Sequence, residues 1–108
     1  MTRVKSGVLV SAALRYAGIL LIDCVLARRG DADAGAIFVH IDALDGRHKL
    51  LARSLNFDSE YEWHTITNTE WVDAETASTR IAAEMKVDQD AFIIAVCDAQ
   101  ARNPFDAL

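Results

Sequence analysis

The sequence predicts an α+β fold, a mainly antiparallel sheet of about five strands with two helices on one face, in the order α-β-β-β-β-α-β. Three observations predict it. Asp45-Gly46 separates two apolar runs, Ala-rich segments near the start and the last third carry helical signals, and Ala91 to Cys97 is a continuous apolar run suited to a strand covered on both faces. With 108 residues, 52% hydrophobic and 25% charged, the chain has room for one core and is too apolar to stay disordered.

Val4 to Ala17 is rich in Ala, Leu and Val, and Gly18 follows where a helix C-cap is expected, so the segment reads as a helix. Ile19 to Arg29, aliphatic and β-branched, reads as the first strand, and the loop from Gly30 to Gly35 reverses the chain. Ala36 to Leu44 and Arg47 to Leu55 flank Asp45-Gly46, a type I′ hairpin signal. A two-residue turn would pair Ala43 with His48, Ile41 with Leu50 and Val39 with Ala52 on an apolar core side. The other, half-wet side would pair Asp42 with Lys49, His40 with Leu51 and Phe38 with Arg53, and the first strand would set Leu26 against Val39 and Cys24 against Ile41.

Tyr61 to Thr67 alternates as a fourth strand. Asp73 reads as the N-cap of a second helix, with Ala77, Ile81 and Met85 as its inward stripe and an end near Lys86. Ala91 to Cys97 is then a central strand. Residues 1–98 form one α+β domain, and 99–108, where periodicity is lost, are expected to fray with Phe105 as an anchor.

The net charge of -5 argues against a generic nucleic-acid or anionic-membrane binder, even with Arg47, Lys49 and Arg53 close together. The charge is unevenly spread. Eight bases face five acids through residue 55, a balance of +3, and the remainder stands at -8, so the halves pair with each other or one basic face serves an anionic ligand. Arg15 and Asp23 interrupt the apolar stretch that follows Arg3 and Lys5, which reads as neither export signal nor membrane anchor. A cytoplasmic location is expected, with Cys24 and Cys97 as reduced core thiols.

The Ala12-Ala13-Leu14-Arg15 helix, the Arg28-Arg29-Gly30-Asp31-Ala32-Asp33-Ala34-Gly35-Ala36-Ile37-Phe38-Val39 segment and the Val87-Asp88-Gln89-Asp90-Ala91-Phe92 turn together resemble the short bacterial proteins of domain of unknown function 1491. The likeness runs along almost the whole chain. That family has no established activity, so the resemblance implies a small bacterial cytoplasmic domain and carries over no site.

The residues themselves offer two surfaces. Arg28, Arg29, Asp31 and Asp33 concentrate charge in one glycine-flanked loop, where the arginines would clamp an anionic metabolite or simply pair with the local acids. Val25, Phe38, Leu51 and Trp63 on the half-wet face would leave an apolar patch for a second copy of the chain or another protein. No catalytic set is legible: there is no Gly-x-Ser-x-Gly elbow, and the expected register points His40 and His48 to opposite faces. Cys-x-x-Cys and helical His spacings are also absent, so no metal and no cofactor is expected. The reading is a non-enzymatic, self-associating interaction module, with a small enzyme or sensor for an anionic metabolite as the alternative.

Overall fold

The computed structural model describes residues 4–108; Arg3, counted above among the bases, lies outside them. The chain runs α1 (Ser6–Ile19), β1 (Asp23–Arg28), β2 (Ile37–Asp42), β3 (His48–Leu55), β4 (Tyr61–Thr65), α2 (Ala74–Val87), β5 (Phe92–Cys97) and a short 3₁₀ turn (Pro104–Ala107). The order of helices and strands is the expected one, and the fold is α+β. The five strands lie in the spatial order β1-β5-β2-β3-β4. β5 is antiparallel to β1 and parallel to β2, whereas β2-β3 and β3-β4 are antiparallel, so the sheet is mixed.

β5 is interior, as its unbroken apolar run requires. That placement overturns the expected pairing of the first two strands. β1 sets Cys24 beside Val96 and Leu26 beside Ile94 of β5, not beside Ile41 and Val39 of β2.

The helices occupy opposite faces, not one. Val10, Ala13 and Ala17 of α1 cover Ile37, Val39, Ile41, Phe92, Ile94 and Val96. Ile81 of α2 instead packs on Phe38, Ile93 and Ala91, the first two of opposite parity on the same strands and the third just ahead of β5. A strand apolar at every position gains from a helix on each side, and burying a Phe or Ile side chain contributes about 1.5–3 kcal/mol.

The β2-β3 register is one residue away from expectation. Phe38 faces Ala52, His40 faces Leu50 and Asp42 faces His48, while Val39 faces Leu51 and Ile41 faces Lys49. The turn is longer than Asp45-Gly46: Ala43 N–H donates to Arg47 C=O at 3.0 Å, leaving Leu44, Asp45 and Gly46 as the loop. Side-chain oxygens hold it, Asp42 Oδ1 accepting from Leu44 N–H and Asp45 Oδ1 from Arg47 N–H. These Asx contacts compete with a type I′ turn. The slip brings every even residue of β2 and β3 to the α2 side.

Of the two helix ends expected from sequence, the start of α2 is met and the end of α1 at Gly18 is not. Asp73 caps α2 by accepting from Thr76 N–H at 2.7 Å. α1 runs past Gly18 and closes in a Schellman arrangement, with Leu21 N–H donating to Gly18 C=O and Ile22 N–H to Ala17 C=O. Leu21, at φ +59°, stands where glycine is usual. Residues 99–108, expected as a frayed tail, fold back instead. Phe105 is buried, and its ring centroid lies 4.9 Å from that of Trp63.

Candidate functional site

Because β5 separates β1 from β2, residues 29–36 cannot make a hairpin and must cross the start of β5. Asp31 N–H donates to Asp90 C=O at 2.8 Å, and Phe92 N–H donates to Ala36 C=O at 2.7 Å. The crossing is close. A Cβ on Gly30 would lie 2.7 Å from the carbonyl carbon of Ala91, and one on Gly35 would lie 2.7 Å from the oxygen of Asp31. Those two glycines are required by contact between backbones.

The same loop finishes both helices. α1 lacks a side-chain cap at Lys5, and its first-turn donors are met by the loop: Gly7 N–H bonds Ala32 C=O at 2.8 Å, and the Ser6 hydroxyl donates to Gly35 C=O at 2.7 Å. At the other helix, Arg28 donates to the carbonyls of Asp88 at 3.1 Å, of Met85 at 3.5 Å and of Gln89. A β-bulge makes this reach available. The β1-β5 register shifts between Leu26 and Arg28, so Arg28 falls opposite Ile93 on the α2 side. A guanidinium on the last carbonyls of a helix complements both the orphan acceptors and the negative dipole end.

Of the four loop residues singled out from sequence, two are therefore structural. Arg28 caps α2, and Asp31 Oδ1 accepts from Asp33 N–H at 2.8 Å in an Asx turn. The other two, Arg29 and Asp33, face an open groove of about 710 Å³ between the loop and the outer side of α1. Across it stand Lys5, Ser11 and Arg15, the latter two with Val8 and Ala12 on one stripe of the helix. Lys5 pairs with Asp33 at 3.3 Å. Sequence reading missed Lys5 and Arg15, although the +3 balance of the first half signalled a basic face.

The other bases are mostly engaged. Arg47 pairs with Asp45, Lys49 with Glu70, Arg80 with Glu84 and Arg102 with Asp98, and Arg53 stacks on Tyr61. Among the described residues Arg15, Arg28, Arg29, Arg53 and Lys86 have no carboxylate within ion-pair distance; Arg28 is bonded to carbonyls and Arg53 lies on the Tyr61 ring, and Arg15 and Arg29 share one groove.

The register slip also corrects the histidines. His40 and His48 share a face, with His40 Nε2 2.9 Å from His48 Nδ1 and His48 Nε2 3.9 Å from Asp42. Burial, then the facing His48, holds His40 below the usual imidazole value, with Asp42 partly opposing. Among the described residues no group of three His, Cys, Asp or Glu is placed to hold a metal ion.

Neither thiol is poised as a nucleophile. Burial and Asp23 push Cys24 up to about 11, and Cys97, exposed rather than in the core, is also raised by desolvation and by Asp42 and Asp23. The apolar set Val25, Phe38, Leu51 and Trp63 does not come together. Phe38 is buried under α2, Leu51 and Trp63 pack against the α1-side core, and only Val25, 55% accessible on β1, is open.

These features define a small α+β protein with a five-stranded mixed sheet held between two helices and a basic groove along one of them. The chain belongs to the family described as "Protein of unknown function (DUF1491)", whose model matches residues 4–106. A crystal structure of a member from Caulobacter crescentus CB15 is similar with a TM-score of 0.85 at 22% identity, covering 94% of both chains. The NMR structure of a DUF1491 protein from the same organism gives 0.82 at 22% identity over 96% of this chain and 94% of that one. A solution structure of a protein from A. tumefaciens gives 0.73 at 24% identity over 89% and 86%. At these identities the likeness shows the fold alone. No curated protein matches the chain.

Proposed function

We propose that this protein is a non-enzymatic binding module that takes an anionic ligand of the phosphate or pyrophosphate class in the groove of Lys5, Arg15 and Arg29. One observation carries the reading: in a chain of net charge -5, two arginines without carboxylate partners among the described residues face the same groove. Guanidinium forks suit phosphate oxygens, and Ser11 adds a hydroxyl donor between them. Each exposed pair is worth about 1 kcal/mol or less in water, so the expected affinity is weak, near millimolar, and salt-dependent.

Thermal denaturation in low-salt buffer with inorganic pyrophosphate tests it. At ten times the dissociation constant, mass action adds about 1.4 kcal/mol, a shift of several degrees for a domain of this size. Arg15→Gln with Arg29→Gln should abolish the shift. An unchanged shift in the double variant would remove the groove from consideration.

Self-association is a second reading, supported by the edge strand β1. Among the described residues no strand pairs with its outer side, and Val25 is open on it. A second copy could add its own β1 there in antiparallel fashion, extending the sheet. Light scattering behind a sizing column should give a dimer that Val25→Lys converts to a monomer, and a wild-type monomer at about 100 μM would end this reading, since functional interfaces hold at or below such concentrations. The cytoplasm is the proposed setting. Cys24 and Cys97 support it as free thiols, suited to a reducing compartment.

A further inference from the structure

At the end of the sheet where β2 begins, the first residues of α1, the 33–36 loop, β3, β4 and the end of α2 enclose a cleft of about 510 Å³. Arg53 and Tyr61 line it from β3 and β4. The register sets Arg53 opposite Trp63 and Leu55 opposite Tyr61, so Arg53 and Tyr61 are diagonal neighbours on the α1 side of the sheet. The Arg53 guanidinium lies 3.6 Å from the centroid of the Tyr61 ring. Stacking occupies the flat face of the fork and leaves its in-plane N–H donors open. None of those donors is bonded among the described residues, and Met1, Thr2 and Arg3 carry no side-chain carboxylate that could serve them. Burial holds Arg53 below the usual guanidinium value, with Tyr61 partly opposing. A half-buried cation with open donors and no counter-charge favours an anionic group beside it.

The rest of the lining sets the kind of anion. Asp33 and Asp88 also line the cleft; Asp33 is taken by Lys5 at 3.3 Å, whereas Asp88 has no cation within ion-pair distance among the described residues. Its Oδ1 accepts from Asp90 N–H at 3.0 Å, and its charge is unmatched. A phosphate dianion would face two carboxylates against one guanidinium, while a monocarboxylate that carries its own ammonium meets one group of each sign. Val4, Ala34, Ala36 and Ile37 supply the apolar part of the lining. We propose that this cleft binds a free α-amino acid with an aliphatic side chain, its carboxylate on the Arg53 fork, its ammonium at Asp88 and its side chain on Val4, Ala36 and Ile37. The volume lies within the range of small-molecule sites. Asp33 lines both this cleft and the basic groove, but neither Arg53 nor Asp88 belongs to the groove, so the site does not depend on it.

L-Leucine is the probe, titrated into nitrogen-15-labelled protein in low-salt buffer. Saturable shifts of the Arg53 Nε–H and of the backbone amides of Ala34, Ala36 and Asp88 are the expected result. Isocaproate and isoamylamine, which are leucine without its ammonium and without its carboxylate, should each bind about tenfold more weakly or worse. Arg53→Gln should weaken leucine binding by a similar factor. Asp88→Asn, which keeps the oxygen that accepts from Asp90 N–H and removes the charge, should do the same. The Arg15→Gln, Arg29→Gln protein should bind leucine as the wild type does, which separates this site from the groove. No saturable shift up to about 10 mM leucine, shifts centred on Arg15 and Arg29, isocaproate binding as tightly as leucine, or unchanged affinity in a folded Arg53→Gln protein would overturn the proposal.

Discussion

His40 Nε2 and His48 Nδ1 stand 2.9 Å apart and share one hydrogen bond, so one of the two rings must offer a bare nitrogen to the other. His40 is held below the ordinary imidazole value, first by burial and then by His48. The unfolded chain takes up a proton near 6.5, before native His40 does, so it binds more protons in that range. Stability is therefore full above about pH 7.5 and falls as pH drops through 6.5 toward the lower native value. Melting temperatures measured between about pH 8 and 5 should decline, and His40→Gln should flatten the decline. Equal slopes for both proteins would contradict the assignment. Asp45, Asp73 and Asp98, all lowered from 3.8, lose their contribution only in stronger acid and stay out of this window.

Gly30 and Gly18 should respond oppositely to the same change. A Cβ at Gly30 meets the backbone of Asp90, Ala91 and Phe92, so Gly30→Ala must part the loop from β5 and should cost more than about 2 kcal/mol. Nothing lies within 4 Å of a Cβ at Gly18 inside α1, so Gly18→Ala should add about 0.5–1 kcal/mol. Urea midpoints of the two variants check the pair.

Arg28→Ala removes the donors on three carbonyls at the end of α2 and should cost about 1–2 kcal/mol. Arg28→Lys should recover only part of it, because an ammonium lacks the fork that reaches several carbonyls at once. Amide hydrogen exchange would place the loosening in the last turn of α2 and at Asp90. Uniform loosening of the sheet would point to some other role for Arg28.

Leu21 holds a left-handed conformation at φ +59° while 89% accessible, so it carries backbone strain with no packing in return. Leu21→Asn should raise stability by about 0.5–1 kcal/mol, since asparagine tolerates that region. A lower midpoint for this variant would show that Leu21 has a partner.

Much of the fold is legible from local chemistry: the Asp73 cap, the α2 boundaries and the doubly covered β5 all follow from residue order. The sheet order is not, because the insertion of β5 between β1 and β2 is a long-range pairing that no window of sequence encodes. Its consequence, a loop pressed against Asp90 to Phe92, explains Gly30 and Gly35 after the fact. The hairpin misleads for a local reason. Asp42 and Asp45 each bond a backbone N–H inside the turn and stretch it to three residues, and that single step moves His48 to the face of His40. The groove is half legible: Arg29 and Asp33 stand out within one loop, whereas Lys5 and Arg15 join them only when α1 packs beside it.

The most direct measurement is a pyrophosphate titration of nitrogen-15-labelled protein in low salt, reading the arginine Nε–H and backbone amide signals. The account predicts saturable shifts at Arg15, Arg29 and Ser11 that weaken with added salt and vanish in the Arg15→Gln, Arg29→Gln protein. Shifts centred elsewhere, or none up to about 10 mM ligand where a weak site would already be filled, would contradict it.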